Sequence, residues 1–392
     1  MAISDDELTE IVGQIVDPEL RRDLRTMGML RGVSLAGGSA HVLLALPSED
    51  WPARDELTNL IDASLASQDE VEAVSIEFVV MDEAEQAAVR EQLIGDPATS
   101  AGAQPAHGHA EGRAIPFAEP GNPTRVLLIA SGKGGVGKSS VTANLAISLA
   151  QRGMRTAVVD ADVWGFSIPR MLGVERPPTV IDQMVVPVEA NGVRCISMGF
   201  FAREDQPVIW RGPMLHKALE QFLTDVHWDN PDYLLVDLPP GTGDISLSLS
   251  QFLPKSELIV VTTPQPAAQK VAQRAAYMAE KVNLTVRAVI ENMSWCRGDD
   301  GKRYEIFGAG GGEALADELG VPLLGKIPLM EELREGGDVG RPITVADPTC
   351  EAATVFVEMA RLLTEEYLPT RRYNEGLKLD SAKLEPWRSL TT

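Results

Sequence analysis

The stretch that decides the fold of this chain is Gly132-Lys133-Gly134-Gly135-Val136-Gly137-Lys138-Ser139. Its spacing matches the pattern G-x-x-x-x-G-K-[ST], whose glycines let backbone N–H groups surround phosphate oxygens at the start of a helix. A short apolar run, Arg125–Ala130, precedes the stretch and predicts a buried parallel strand. Val141, Leu145 and Leu149 follow it on one face of a predicted helix. The sequence therefore predicts a nucleotide site between a strand and a helix.

Two side chains of this loop have chemical roles of their own. Lys138 is expected to neutralise the β- and γ-phosphates of ATP, and the Ser139 hydroxyl is expected to help hold Mg²⁺. The residues expected to contact the nucleotide from this loop are Gly132, Lys133, Gly134, Gly135, Val136, Gly137, Lys138, Ser139 and Ser140.

Acidic residues follow two further predicted strands. Asp160 and Asp162 stand at the end of one strand, where two acids would repel a nucleotide unless one binds metal or orients water. We expect Asp160 to support the Mg²⁺ shell. Asp162 is the candidate for orienting water, and its alternative role is to cap a helix. Asp237 ends the apolar run that begins at Tyr233, and we expect its carboxylate at Mg²⁺ or at the water ligands of Mg²⁺. After it, Gly241 in Pro-Pro-Gly-Thr-Gly suits a switch whose N–H senses the γ-phosphate.

Beyond residue 123, apolar strand candidates alternate with helical stretches. This alternation predicts an α/β domain, with a mostly parallel sheet and helices on both faces. Ligands bind such sheets at the C-terminal ends of the strands, where the acidic motifs also fall. The predicted strands lie near Arg125–Ala130, Arg155–Asp160, Tyr233–Asp237, Leu258–Thr262, Val286–Ile290 and Leu323–Ile327.

The chain divides into four parts. Residues 1–95 predict a small α+β domain, and 96–122, rich in small and helix-breaking residues, predict a flexible linker in which His107 and His109 are solvated. Residues 123–368 form the predicted nucleotide-binding domain, and 369–392 a polar tail. In the first domain, Ser4 and Glu7 form a capping-box signature for a helix to about Val16. The other elements expected there are strands near Val33–Leu35, Ala40–Leu46 and Val71–Val80, and helices near Asp55–Ala66 and Glu83–Leu93.

Composition narrows the classes of function. The net charge of −22 argues against a broad nucleic-acid-binding surface, which needs clustered Lys and Arg. Three widely spaced cysteines suit a reducing compartment, and the acidic N-terminus lacks the features of a signal peptide. No run of about 18 apolar residues occurs in the sequence. We therefore expect a cytoplasmic protein with neither a nucleic-acid nor a membrane partner.

The phosphate loop resembles that of the MinD/ParA/arsenite-pump ATPases, because Lys133 is a second lysine near its start. The resemblance implies a homodimer in which Lys133 reaches the partner's nucleotide and contributes to catalysis. It also implies that Asp162 activates water and that Asn292, in Glu-Asn-Met-Ser, hydrogen-bonds the adenine edge. Pro328, after the Leu323–Ile327 strand, would lie against the adenine face. A turn-forming role is the alternative for Asn292.

Taken together, the motifs resemble those of the Mrp/ApbC iron–sulfur cluster carrier ATPases. The segments that carry the resemblance include Asp-Ala-Asp-Val-Trp-Gly-Phe-Ser-Ile-Pro from Asp160, Asp-Leu-Pro-Pro-Gly-Thr-Gly-Asp from Asp237, and Ile306-Phe307-Gly308. The resemblance implies a homodimer that binds a cluster between subunits, passes it to apo iron–sulfur proteins and works with cluster assembly factors. The first domain resembles the PaaD-type assembly domain, but Trp51 stands where family members often carry a cysteine, so a docking role is favoured.

The cysteines depart from this family. Its members usually have Cys-x-x-Cys before Phe-Gly, whereas this chain has Cys296-Arg-Gly-Asp299. Two subunits would offer Cys296 twice, with Asp299 or outside ligands completing a weak site, since thiolates are the better iron–sulfur ligands. Cys195 is expected in the core, and Cys350 is expected to be structural or incidental.

Two other functions stay open. An ATP-regulated scaffold or chaperone without a cluster would explain the missing cysteine. A MinD/ParA-like positioning ATPase would need a membrane helix or a basic DNA-binding patch, and the segment Arg371–Lys378 shows neither clearly.

Overall fold

The computed structural model describes residues 3–95, 114–119, 121–163, 165–201, 212–241 and 244–369, without the side chains of 244–247. Most of the predicted linker, with His107 and His109, and the tail from residue 370 lie outside the described residues. Among the helices within these ranges, none is long and apolar enough to cross a membrane.

The N-terminal domain is a three-stranded sheet covered by helices. Its order is β1-β2-β3, with β2 antiparallel to β1 and parallel to β3. The capping box of Ser4 and Glu7 is present, as predicted, but the first helix ends at Gly13 and not near Val16. Further along, Pro18 disfavours helical backbone at Asp17, so the helix does not resume there. The elements are α1 (Asp5–Gly13), β1 (Leu30–Ala36), β2 (Ser39–Leu46), α2 (Arg54–Leu65), β3 (Ala73–Val80) and α3 (Glu83–Ile94).

The end of the predicted linker is packed and not flexible. Ile115 and Phe117 are buried against the core of the nucleotide-binding domain, and a single 3₁₀ turn spans Pro116–Ala118. The prediction of a flexible linker as far as residue 122 is therefore wrong for this segment. Composition suggested flexibility because the two apolar anchors stand among Pro, Gly and Asn residues.

The second domain is built on an eight-stranded sheet in the order β15-β12-β11-β4-β10-β5-β9-β8. All neighbours in it pair in parallel except β8, which is antiparallel to β9. Two small hairpins, β6–β7 and β13–β14, lie outside this sheet. The strands are β4 (Arg125–Ser131), β5 (Thr156–Asp160), β6 (Thr179–Ile181), β7 (Met184–Val186), β8 (Val188–Ala190), β9 (Val193–Ser197), β10 (Tyr233–Asp237), β11 (Glu257–Thr262), β12 (Thr285–Glu291), β13 (Cys296–Arg297), β14 (Arg303–Tyr304) and β15 (Leu323–Lys326).

Helices cover both faces of this sheet, as predicted. Alternate residues of β4 enter two different cores: Val126 and Leu128 face one, and Leu127 and Ile129 face the other. Both faces are buried, so the central strands are continuous apolar runs. The helices are α4 (Lys138–Gln151), α5 (Ile168–Leu172), α6 (Gly212–Thr224), α7 (Asp244–Phe252), α8 (Pro266–Lys281), α9 (Gly311–Leu319), α10 (Glu331–Asp338), α11 (Ile343–Ala346) and α12 (Glu351–Arg361), the last continued by a π-helical turn (Leu362–Glu366).

The hairpin β6–β7 belongs by sequence to the second domain but packs into the core of the first. Ile181, Met184 and Val186 are almost completely buried in the same cluster as Leu20 and Trp51 of the N-terminal domain. The two domains therefore share a hydrophobic core.

Candidate nucleotide site

The phosphate loop lies between β4 and α4, as the sequence predicts. Gly137 has a φ of 80° and directly precedes α4. A Cβ atom at Gly137 would lie 2.3 Å from Nδ2 of Asn292, and one at Gly132 would lie 2.4 Å from the backbone N of Ala272 in α8. These two positions therefore require glycine for close packing, independently of any contact with phosphate.

Asn292 supports the loop from the end of β12. Its Nδ2 donates a 2.8 Å hydrogen bond to the carbonyl of Val136, and its Oδ1 accepts one of 2.9 Å from the N–H of Met293. Asn292 is buried, so its amide fixes the inner side of the loop. Its contact with the adenine edge stays a prediction, as does that of Pro328, which is buried just after β15.

Behind the loop, three side chains converge on the carboxylate of Asp237. Lys138 Nζ and Ser139 Oγ each lie 2.6 Å from Oδ2, and Thr142 Oγ1 donates to Oδ1 at 2.7 Å. Asp237 is fully buried, and Lys138 is nearly so. The central position of β10, between β4 and β5, brings Asp237 to the loop. Sequence reasoning missed Thr142, which lies one helical turn after Lys138 on α4.

This group of residues has the chemistry of a magnesium site. Mg²⁺ prefers oxygen ligands, and Ser139 and Asp237 present a hydroxyl and a carboxylate side by side. A fully buried carboxylate is costly unless it is paired, and Lys138 supplies the balancing charge. The residues present therefore fit Mg²⁺ together with a nucleotide.

Asp160 organises the segment that follows β5. Its Oδ2 accepts hydrogen bonds from the N–H groups of Ser167 and Ile168 at 3.1 and 3.3 Å, and from Oγ of Ser197 at 3.0 Å. Burial, together with the negative charge of Asp237, raises the pKa of Asp160 well above its usual range. These contacts give Asp160 a clear structural role, and a part in the Mg²⁺ shell stays a prediction.

Asp162 lies close to the same segment and is 8% exposed. Its Oδ1 accepts a 3.0 Å hydrogen bond from the N–H of Gly165, and its own N–H donates to Oδ1 of Asp160 at 3.2 Å. The side chain therefore caps a tight turn next to the phosphate site. The contact caps a turn and not a helix, and the activation of water by Asp162 stays a prediction.

Two groups expected to respond to the nucleotide are held by local contacts. Gly241, with a φ of 96°, donates its N–H to the carbonyl of Ser131 at 2.9 Å. Lys133 is exposed, and its Nζ lies 3.3 Å from Oε1 of Gln265. Gly241 would have to leave Ser131 before its N–H could meet a γ-phosphate. The exposed position of Lys133 suits a contact outside its own subunit.

The three cysteines lie in three different environments. Cys195 is fully buried on β9, as predicted, and burial raises the pKa of its thiol well above the usual value. Cys350 caps α12, its Sγ accepting a 3.4 Å hydrogen bond from the N–H of Ala353. Cys296 is half-buried on the hairpin β13–β14 and is thus more accessible than Cys195. Within the part of the chain that the structure describes, no group of three or more His, Cys, Asp or Glu side chains is placed to hold a metal ion.

Two family models match the chain. Residues 122–364 match the model described as "NUBPL iron-transfer P-loop NTPase". Residues 5–78 match a second model, described as "Iron-sulfur cluster assembly protein". The two matches fall on the two domains of the structure.

Relatives agree with these matches, and one solved structure is similar to part of the chain. The iron–sulfur cluster carrier protein of Mycobacterium bovis is 41% identical over 384 residues, which cover 96% of each chain. That of Bacillus subtilis is 39% identical over 336 residues, covering 84% of this chain and 89% of the relative. An ADP-bound nucleotide-binding protein from Archaeoglobus fulgidus is 34% identical, covers 55% of this chain and 86% of its own, and superposes with a TM-score of 0.49.

Proposed function

Because the chain belongs to the NUBPL-type iron-transfer P-loop NTPases, we propose that it is a slow, Mg²⁺-dependent ATPase that carries iron–sulfur clusters to apoproteins. The observation that carries the ATPase part is the convergence of Lys138, Ser139 and Thr142 on the buried carboxylate of Asp237, directly behind a phosphate loop. Phosphoryl transfer requires a phosphate loop, a side-chain hydroxyl that binds the metal ion, and a carboxylate at the end of a neighbouring strand.

In this proposal, the residues of the site bind the phosphates, the metal ion, the attacking water and the adenine. The loop N–H groups and Lys138 hold the phosphates, while Ser139 and Asp237 hold Mg²⁺. Bound Mg²⁺ neutralises charge on the β- and γ-phosphate oxygens. Asp162 orients the attacking water, and the N–H of Gly241 leaves Ser131 to contact the γ-phosphate. Asn292 and Pro328 contact adenine, with Asn292 also holding the loop as described above.

The proposed active form is a homodimer. Lys133 is exposed at the mouth of the loop, and its contact with Gln265 is a single long hydrogen bond. Such a side chain can exchange that contact for a partner's phosphates at little cost, because a phosphate offers the ammonium group an anionic acceptor in place of a neutral amide oxygen.

The cluster is the cargo of this ATPase, and Cys296 is its proposed ligand. The thiol is half-buried at the base of a hairpin that is fixed by Arg297 and Arg303, both paired with Glu351. Two subunits contribute two thiolates, so the cluster is weakly held and easily released to apoproteins, with cluster assembly factors as donors. The proposed compartment is the cytoplasm, where widely spaced thiols stay reduced.

A second candidate, an ATP-regulated scaffold without a cluster of its own, is favoured by one observation. Cys296 is the one thiol of its loop, where the carrier pattern needs two. In that function the N-terminal domain recruits client proteins, and the ATPase times their release.

One experiment separates the two candidates. The full chain is reconstituted anaerobically with ferrous iron and sulfide, and bound iron, bound sulfide and phosphate release from MgATP are measured on the same sample. A carrier binds iron, hydrolyses MgATP, and activates an apoenzyme that depends on a [4Fe–4S] cluster. Hydrolysis without bound iron would establish the scaffold, and neither activity would overturn both candidates.

A further inference from the structure

Besides the buried hairpin β6–β7, the N-terminal domain meets the ATPase domain through a short polar loop, Asp17–Arg22, called here the docking loop. Arg21 and Arg22 pair with Glu189 and Asp229 of the ATPase domain, at 2.6 and 2.9 Å. In the other direction, the buried Arg194 donates from Nη2 to the carbonyl of Glu19 at 2.9 Å. The contact is thus reciprocal, with charged groups contributed from both sides.

Hydrogen bonds within the N-terminal domain fix the conformation of the docking loop. Asp17 is fully buried, and its Oδ1 accepts hydrogen bonds from the N–H groups of Glu19 and Leu20 at 2.9 and 2.8 Å. Its Oδ2 accepts a 2.9 Å hydrogen bond from the indole N–H of Trp51. Trp51, at the position where assembly-type domains often carry a cysteine, therefore fixes the docking loop.

On the ATPase side, the contact falls on a strand that also reaches the nucleotide site. Arg194 and Ser197 both lie on β9, three residues apart and so about 10 Å from each other. Arg194 meets the N-terminal domain, while Ser197 donates to Oδ2 of Asp160 at 3.0 Å. Asp160 in turn holds the backbone of Ser167 and Ile168, in the segment that carries Asp162. Strand β9 therefore connects the docking loop to the segment that carries Asp162, the proposed water-orienting residue.

The position of β9 depends on the docked domain. The Arg194 side chain is 4% exposed and is satisfied by Glu19, by the carbonyl of His227 at 3.0 Å and by Glu189 at 3.5 Å. His227 is itself buried, and its Nε2 donates to the carbonyl of Leu20 at 3.2 Å. A buried cation that loses a partner is strongly unfavourable, so β9 would shift if the docking loop moved away from Arg194.

We propose that docking of the N-terminal domain positions the segment around Asp160 and Asp162 for ATP hydrolysis, with Arg194 and Ser197 of β9 as positioning residues. This inference rests on the ATPase activity proposed above. The hydrogen bonds of Arg194, Ser197 and Asp160 described above do not involve the phosphate loop, which lies between β4 and α4. Loss of the docking-loop contacts should therefore lower kcat and leave the affinity for MgATP nearly unchanged.

The test is a pair of matched double variants of the full chain. Arg21→Glu/Arg22→Glu reverses two arginines that pair across the domain interface. Arg25→Glu/Arg31→Glu reverses two that pair with Glu10 and Glu85 inside the N-terminal domain, with the same change in net charge. We expect kcat to fall about 10- to 100-fold in the first variant, the range that a misplacement near 1 Å can produce, with KM for ATP within about twofold. We expect the second variant to match the wild type.

Ser197 provides a test that leaves the domain interface untouched. Ser197→Ala should reproduce the fall in kcat with KM unchanged, and Ser197→Thr, which keeps the hydroxyl, should restore part of it.

Because coupling is reciprocal, hydrogen exchange across residues 17–24 of the wild type should slow when MgATP is added.

The outcomes are distinct. A wild type that hydrolyses MgATP, with kcat unchanged or raised in both Arg21→Glu/Arg22→Glu and Ser197→Ala, would overturn the inference. A wild type without hydrolysis would overturn the proposed function instead. Slower exchange of the 17–24 loop with bound nucleotide would still support the coupling in that case, and unchanged exchange would overturn it.

Discussion

Lys138 Nζ lies 2.6 Å from Oδ2 of Asp237, and both groups are buried from solvent. This ion pair places a cation and an anion where the phosphates and Mg²⁺ are expected to bind. Each partner therefore has a counter-charge without nucleotide, and nucleotide binding exchanges one ionic partner for another.

Lys138→Ala should weaken ATP binding by at least about 100-fold, the loss expected from about 3 kcal/mol of charge-assisted hydrogen bonding. Isothermal titration with MgATP measures the change. Lys255→Ala is the matched control because it removes the same side chain from an exposed position before β11 and leaves Asp237 paired. Wild-type affinity in Lys138→Ala would mean that the nucleotide binds elsewhere.

Asp162→Asn should keep ATP binding and slow hydrolysis by about 10²- to 10⁴-fold, the usual contribution of a positioned acid–base group. The amide retains the acceptor oxygen that meets Gly165 N–H, so the local turn should survive. Single-turnover phosphate release separates the chemical step from product release. Hydrolysis at the wild-type rate would move the catalytic role to another residue, with Asp244 the next candidate.

ATP should favour the homodimer, and Lys133→Ala should weaken that preference. Light scattering with and without a non-hydrolysable ATP analogue measures the mass. Lys255→Ala, which removes another exposed lysine held by one long contact, is the control. A monomer under both conditions would rule out a site shared between subunits.

Cys296→Ser should abolish any reconstituted cluster and leave ATP binding intact, because the contacts that join Lys138 and Ser139 to Asp237 do not involve the thiol. In the wild type, we expect less than one cluster per dimer, since two thiolates are half of a full ligand set. Cys350→Ser, which alters a helix cap, is the matched control. Iron that persists in Cys296→Ser, measured by the visible absorbance of the cluster, would place the ligands elsewhere.

Acid should weaken the domain interface through His227. Burial, aided by the charge of Arg194, lowers the pKa of this imidazole from 6.5 to about 4. Between these values the unfolded chain binds a proton that the folded chain does not, so stability is lost as pH falls from about 6.5 to about 4. The loss approaches about 3 kcal/mol, at roughly 1.36 kcal/mol per pKa unit.

Urea unfolding at pH 5.0 and 7.5 measures this loss. His227→Gln, which keeps a donor for the Leu20 carbonyl but does not titrate, should show a smaller difference between the two pH values. The buried carboxyls of Asp17 and Asp160 have raised pKa values and act with the opposite sign, so the comparison between variant and wild type isolates the imidazole. An equal pH dependence in both proteins would contradict this role for His227.

The central strands were predictable because strands buried on both faces are continuous apolar runs. The predicted run Tyr233–Asp237 coincides with β10, and Arg125–Ala130 falls one residue short of β4. Strand β9 escaped prediction because Arg194 interrupts its apolar pattern, and the partners of this guanidinium include the carbonyl of Glu19 in the other domain. The three-residue strands β6 and β7 are too short for a periodic signal.

The motif residues of the site were predictable, but their supporting contacts were not. The loop pattern identifies Lys138 and Ser139, since phosphate chemistry constrains both residue type and spacing. Ser197 reaches Asp160 only through the register between β5 and β9, which no local pattern encodes. Trp51 was recognised as a replacement for cysteine, yet its hydrogen bond to Asp17 requires the folded domain.

The hairpin β6–β7 has a consequence for synthesis on the ribosome. The chain completes α3 at Ile94, but Ile181, Met184 and Val186, which fill part of the first core, are made some 90 residues later. At about 5–20 residues per second, the delay is roughly 5 to 20 s. Throughout that interval the nascent first domain presents an uncovered apolar cleft, which is the kind of surface that chaperones bind. The first domain to be translated can therefore complete its core only after part of the second domain has been made.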